Sequence, residues 1–333
     1  MNNEFEKLEN KIEKEFRIVK GDSLSTLEIP KSEFVIEGMI AKNTFSILAG
    51  NPANCKSWVL LELAKALGTG TAFFDKFEVP KKLNVLYIDE ESSLSEIKRR
   101  WFMLDSPNCN VSFMSLQNFR LDNNFNREEL KGIIREQGFE FIIFDSLRDI
   151  WMGDENSSRD VQLLVNGFKE LIQEGTTILV SHHLRKETFG GTSDLSQKIR
   201  GSGALLSSLD GLIALETTKK NEDLFELNFS PLKLREGKLL PNFRVNLTEI
   251  GDKMEFQYVG EVEDATKRLE RAKIAIKEVL SEGEKYQSEI IEILIPHGHT
   301  TPTLNRAFKE MKESDEFSQR VGEKRRIYLG LKE

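Results

Sequence analysis

Phe45-Ser46-Ile47-Leu48-Ala49-Gly50-Asn51-Pro52-Ala53-Asn54-Cys55-Lys56-Ser57-Trp58 is the stretch whose reading decides the fold. Phe45 to Ala49 is an apolar run that predicts a buried strand. Gly50 to Cys55 reads as a tight turn, and from Ser57 to Leu67 apolar residues recur at helical spacing. A strand, a loop and then a helix that opens on Lys-Ser is the context a phosphate-binding loop requires. Backbone N–H groups of such a loop and of the first helical turn converge on one point and bind phosphate oxygens there. Gly50, Asn51, Pro52, Ala53, Asn54, Cys55, Lys56, Ser57 and Trp58 are therefore the expected nucleotide-binding residues. Lys56 adds a point charge near the terminal phosphates, and the Ser57 hydroxyl is a ligand for Mg²⁺. The pattern G-x-x-x-x-G-K-[ST] has one departure here, since Cys55 stands where the second glycine belongs. A Cβ narrows the backbone choices at that point but removes no N–H. The bland alternative is an ordinary strand-to-helix turn that carries Lys-Ser by chance, and the strand-loop-helix context weighs against it.

Further continuous apolar runs follow. They are Leu83 to Asp89, Phe139 to Phe144 and Thr176 to Val180, each the mark of a strand buried on both faces. Helical patterns over Leu94–Leu104, Asn126–Gln137 and Val161–Gln173 alternate with them. This alternation predicts an α/β fold with a doubly wound, mostly parallel sheet. Ligands sit at the carboxyl ends of the strands in such sheets, and three polar groups fall there. Asp145 ends one run and is placed to hold Mg²⁺ through water or through the loop hydroxyl. Asp89-Glu90-Glu91 ends another, and one of these carboxylates can orient or deprotonate an attacking water. Their bland reading is an acidic turn before a helix N-terminus. His182 follows the third run, where a polar group can hydrogen-bond a terminal phosphate; a pair of half-exposed histidines is the plain alternative. Lys233 and Arg235 lie two apart on an apparent strand and so face one side, inviting either an anion or only solvent.

Composition bounds the rest. With 333 residues, 39% hydrophobic and 31% charged, the chain suits one large α/β domain and a small appendage. There is no apolar run long enough to span a membrane, and Met1-Asn-Asn-Glu-Phe-Glu-Lys7 lacks the character of a signal peptide. Two cysteines make no disulfide framework, so a cytoplasmic home is expected. A net charge of −8 argues against coating by polyanions. Local basicity remains in loops 148–160 and 185–200, with Arg185, Lys186, Lys198 and Arg200, as expected of phosphate-backbone contacts. Residues 1–17 place Phe5, Leu8, Ile12 and Phe16 at helical steps. The boundaries expected are an N-terminal helix and arm over 1–29, an α/β domain over 30–260 and a third unit over 266–333. In that last unit, helices over 272–280, 288–294 and 301–311 precede a hairpin of 317–321 with 326–329, the order of a winged helix. Arg306 and Lys309 on its third helix and Arg325 on its hairpin are candidate DNA contacts.

Taken together, these residues resemble the RecA-like P-loop ATPases, and within them the RepA-type and DnaB-type hexameric helicases. The resemblance covers about residues 30–250. Gly50 to Ser57 is similar to Walker A and Phe141-Ile-Ile-Phe-Asp145 to Walker B. Tyr87-Ile-Asp-Glu-Glu91 resembles the catalytic-glutamate strand, which favours Glu91 over Glu90. Val180-Ser-His182-His183 is similar to the phosphate-sensing strand end. Lys233-Leu-Arg235-Glu-Gly237 resembles the Lys-x-Arg-x-Gly finger that reaches a neighbour's nucleotide, and Arg200-Gly-Ser-Gly203 the stretch after the channel loop. The resemblance implies ATP and Mg²⁺ as cofactors, a hexameric homo-oligomer as the assembly and single-stranded DNA as a partner. The function implied is that of an ATP-hydrolysing replicative helicase of a plasmid, virus or integrated element. Recombinases and other ATPases share this core, so a nucleotide-switched DNA-binding regulator, or a helicase-loading or recombination ATPase without unwinding, is the alternative. A third reading is an inactive scaffold with a degraded loop.

Overall fold

The computed structural model describes residues 19–26, 33–105, 108–183, 203–263, 265–321 and 327–332. The chain divides into two compact units, residues 1–33 and residues 34–333. In the first, a 3-10 turn spans Gly21–Ser25; the helix expected over 1–17 lies outside the described residues, as does the loop 185–200.

The second unit opens with β1 (Phe34–Ile36) and β2 (Ile40–Ala41), a small hairpin. There follow β3 (Phe45–Gly50), α1 (Lys56–Thr69), β4 (Val85–Asp89), α2 (Leu94–Met103), β5 (Val111–Ser115), α3 (Asn124–Gln137), β6 (Phe141–Asp145), α4 (Leu147–Ile150), α5 (Ser158–Ile172) and β7 (Thr177–His183). Next come α6 (Gly203–Ser208), β8 (Gly211–Lys219), β9 (Leu224–Leu234), β10 (Phe243–Ile250) and β11 (Lys253–Glu261). The last elements are α7 (Ala265–Ser281), β12 (Lys285–Tyr286), α8 (Gln287–Leu294), α9 (Thr301–Glu313), β13 (Phe317–Val321) and β14 (Ile327–Leu331).

One nine-stranded sheet organises the unit, in the order β11-β10-β9-β8-β3-β7-β6-β4-β5. From β5 to β8 neighbouring strands are parallel, and from β8 to β11 antiparallel. The parallel strands are apolar on both faces because helices cover both. Side chains alternate along β3, so Phe45, Ile47 and Ala49 enter one core and Leu48 the other. On β6, Phe141 and Ile143 divide from Ile142 and Phe144 in the same way. Truncating one of the fully buried rings, such as Phe144 or Phe243, would cost about 3–5 kcal/mol. The loop that opens at Gly50 is therefore anchored on a strand at the centre of the sheet.

Several boundaries depart from the sequence reading. β11 is not among the strands read from the sequence, and the β1–β2 hairpin precedes β3. The polar stretch 148–160 is not wholly a loop, since α4 covers its start and α5 begins at Ser158. β9 carries Lys233 on a strand, as expected, but ends at Leu234, so Arg235 lies one residue beyond it.

Residues 269–331 close their own core, with Leu269, Ile276, Ile290, Leu304, Phe308 and Leu329 among its members. Helix, short strand, two helices and a hairpin follow in order, and their strands form a three-stranded antiparallel sheet, β12-β14-β13.

Candidate functional site

The loop between β3 and α1 takes its shape from two non-glycine residues at positive φ, Ala53 (62°) and Cys55 (55°). Cys55 sits as the residue before the first turn of α1 in the left-handed conformation. This is the physical reason a glycine commonly stands there, since a Cβ at positive φ crowds the backbone. Its thiol is half-buried, and burial pushes it up to about 11, with Lys56 pulling the other way. At neutral pH it is protonated and a poor nucleophile.

Lys56 is buried, 6% exposed. Its ammonium donates to the carbonyls of Gly50 (3.1 Å) and Asn51 (3.0 Å) and lies 3.2 Å from Nδ1 of His183. Burial lowers its pKa, opposed by Asp145, Glu91 and Cys55. Burial, then the nearby Lys56, lowers that of His183. The neutral ring therefore accepts from the lysine. Sequence reading singled out His182, yet His183 meets Lys56. Alternation along β7 explains the difference: Ser181 and His183 face the loop, whereas His182 turns the other way, with Nε2 3.8 Å from Glu155. Burial lowers the pKa of His182, Glu155 opposing.

Asp145 ends β6 beside this group. One of its oxygens accepts from the Tyr87 hydroxyl at 2.9 Å and the other from Ser181 Oγ. Two donors on one carboxylate fix its orientation. The Asp145–Ser146 peptide is cis. Ser57 is half-buried on the first turn of α1. Asp145 and the Ser57 hydroxyl are hard oxygen donors of the kind Mg²⁺ takes. Among the described residues no group of three or more His, Cys, Asp or Glu could hold a metal alone. Trp58 packs against the core on one side of the sheet, with the Arg100 guanidinium 6.0 Å from its ring.

The three acidic residues after β4 separate by their contacts. Asp89 is buried, its Oδ1 accepting from the backbone N–H of Glu91 and Ser92. Glu90 accepts from the backbone N–H of Gln117 (3.1 Å) and Asn118 (2.9 Å), holding the turn after β5. The exposed Glu91 carboxylate is near enough to Lys56 and His183 to oppose the burial that lowers the pKa of each. Burial pushes Asp89 up to about 6, the Ser92 N–H opposing and the Asp145 carboxylate adding to the rise. Its folded pKa lies above the unfolded value near 4. Its contribution to stability is therefore full below pH ~4 and lost as pH rises through about 6. Asp89→Asn keeps the acceptor and drops the charge, so it is expected to gain stability relative to wild type on going from pH 4 to pH 8, by about 2–3 kcal/mol. Denaturant unfolding at both pH values measures this; an equal difference at the two would contradict it.

Lys233 and Arg235 are not beside this loop. Lys233 donates to the Leu206 (2.7 Å) and Ser207 (3.3 Å) carbonyls at the end of α6. Burial lowers its pKa, with Arg235 adding to the effect. Arg235 pairs with Asp210 at 2.9 Å and keeps 56% of its side chain exposed. Gly50 lies opposite Leu215 on β8, while Lys233 lies opposite Leu212 and the Arg235 N–H bonds to Asp210. The two cations thus sit at the other end of β8, about 10–17 Å along the strand.

Arg306 pairs with Glu310 (3.1 Å), and Lys309 lies 3.9 Å from Glu313, so each shares its helix face with a carboxylate. Arg185, Lys186, Lys198, Arg200 and Arg325 lie outside the described residues.

A family model described as AAA domain matches residues 12–188, more than half of the chain. The chain belongs to the AAA domain family. As an AAA domain it is a P-loop NTPase, and the stretch from Gly50 to Lys56 leaves the β3 strand at the centre of its sheet. Comparison with curated proteins gives no match. Among solved structures, this AAA domain is similar to the flagellar accessory protein FlaH from Methanocaldococcus jannaschii. The identity is 13% and the TM-score 0.43, over 67% of this chain and 91% of that one. It is also similar to a DnaB-like replicative helicase whose structure was solved with its interactions with primase. There the identity is 15% and the TM-score 0.49, over 70% of this chain and 64% of that one.

Proposed function

We propose that this chain is an ATP-hydrolysing, ring-forming DNA motor, a RepA-like replicative helicase. The observation that carries the reading is the separation of Lys233 and Arg235 from the chain's own loop along β8. A guanidinium at the far end of the strand cannot reach phosphates at this loop, but a neighbour in a closed ring can receive it. The exposed face of Arg235 is consistent with that use. In this reading Lys56 and the loop N–H groups bind the phosphates, and Ser57 and Asp145 hold Mg²⁺, which supplies charge neutralisation at the phosphate oxygens. Glu91 takes the proton of the attacking water, and His183, more than His182, meets the terminal phosphate through its place at Lys56. Residues 30–260 are the motor and 266–333 a winged helix, supported by the order of its helices and strands. The ring is hexameric, its channel takes single-stranded DNA, and the setting is cytoplasmic. The carboxylates beside Arg306 and Lys309 favour a protein contact for the winged helix over a DNA groove.

Glu91→Gln is expected to keep ATP binding and lose about a hundredfold or more in turnover, since the amide cannot accept the proton. Glu90→Gln should lower stability while leaving turnover close to wild type, because Glu90 holds a turn. Exchange of the two phenotypes would move the base by one residue.

Sizing the protein with and without a nonhydrolysable ATP analogue and single-stranded DNA, together with turnover under both conditions, tests the motor reading. A ring and DNA-stimulated turnover are expected. No ring and no stimulation would overturn it, and tight duplex binding without unwinding would favour the nucleotide-switched regulator.

A further inference from the structure

The loop carries a contradiction that the motor reading leaves unexplained. Cys55 occupies a backbone conformation that costs an L-residue energy, at φ 55°. The residue before it is gripped from two sides by one strand. Asn54 Nδ2 donates to the Leu215 carbonyl at 3.0 Å, and Thr217 Oγ1 donates to the Asn54 carbonyl at 3.0 Å. Both partners are on β8, more than 160 residues away in sequence. The close approach needs Gly50, where a Cβ would come within 2.8 Å of the same Leu215 carbonyl.

We propose that Asn54 and Thr217 form a clamp that holds Cys55 in the left-handed conformation, replacing the conformational freedom a glycine would give. Asn54 and Thr217 are positioning residues. The Thr217 hydroxyl fixes the Asn54 carbonyl, and with it the peptide that enters Cys55. Without the clamp, a cysteine relaxes toward negative φ and turns loop N–H groups away from their point of convergence. A glycine at the same place pays no such penalty, so its loop stays formed unaided. Apparent affinity falls in proportion to the fraction of molecules with the loop formed. The inference rests on the nucleotide reading of this loop, and its test separates the two.

The experiment is a double-mutant cycle on the full chain. The variants are Thr217→Val, Cys55→Gly and the pair, with Thr217→Ser as the conservative control. The probe is a nonhydrolysable ATP analogue with Mg²⁺, titrated by calorimetry, and each variant's unfolding midpoint is measured alongside. Thr217→Val is expected to weaken binding about tenfold alone, the ratio that ~1.4 kcal/mol gives. In the Cys55→Gly background it should weaken binding less than about twofold, and Thr217→Ser should bind like wild type, because only the hydroxyl is needed. Equal losses in both backgrounds, or no rescue by serine, would overturn the clamp. Should Thr217→Val disturb β8, Thr217→Ala gives the same comparison. If wild type binds no analogue, the nucleotide reading fails and the unfolding midpoints decide the clamp. A smaller drop in the Cys55→Gly background then supports it, and equal drops overturn it.

Discussion

Lys56→Ala is expected to abolish tight nucleotide binding and with it ATP turnover. The ammonium is buried and held by the Gly50 and Asn51 carbonyls and by His183 Nδ1. Asp145 and Glu91 lie near enough to favour its charged form. These contacts fix a single positive charge beside the loop. Deleting one such preorganised donor costs about 100–1000-fold in turnover, and binding suffers as well because the charge faces phosphate in the ground state too. Among the described residues, His183 is the other cationisable group in contact with this point, and burial and the lysine keep it neutral. Calorimetric titration with an ATP analogue and steady-state turnover measure the two effects. Wild-type turnover in this variant would remove the site from the loop.

Arg235→Ala is expected to bind ATP nearly as wild type and to hydrolyse it about 1000-fold more slowly. Binding survives because the residue lies at the far end of β8 from its own loop. In the proposed ring, turnover falls because a guanidinium supplied by a neighbour meets charge that develops only as the bond breaks. The Asp210 salt bridge bears on stability as well. Asp210 also accepts from the Phe45 N–H at 3.1 Å, at the start of the loop strand. With Arg235 more than half exposed, loss of that pair should cost at most about 1 kcal/mol. A folded variant with a midpoint lowered by at most a few degrees, intact binding and low turnover is thus the expected combination. Full activity in Arg235→Ala would leave the residue a solvated charge.

The central strands were legible because burial on both faces writes itself as unbroken apolar sequence. β3, β4, β6 and β7 were therefore readable from composition alone. β11 was not, although Met254, Phe256 and Tyr258 alternate with polar neighbours in the pattern of a half-covered strand. That alternation was the available signal. The loop was legible as a local motif, and the family match bears out the P-loop NTPase expected from it. Contacts across the chain were less legible. Which of His182 and His183 faces Lys56 depends on where β7 begins its alternation, and a shift of one residue exchanges them. The turn held by Glu90 and the β8 grip on Asn54 join segments far apart in sequence, so no spacing rule announces them. The left-handed φ of Cys55 was foreseeable from the glycine its position usually carries, and what stabilises it was not.

Mixing Lys56→Ala with Arg235→Ala is the measurement closest to the claim that the site is completed by a neighbour. Neither variant alone should turn over ATP appreciably. In mixed rings, an interface that joins the intact loop of an Arg235→Ala subunit to the intact Arg235 of a Lys56→Ala subunit has every group it needs. Turnover that rises in the mixture and peaks near equal proportions is the predicted result. No recovery at any ratio, in assemblies verified to contain both variants, would contradict it.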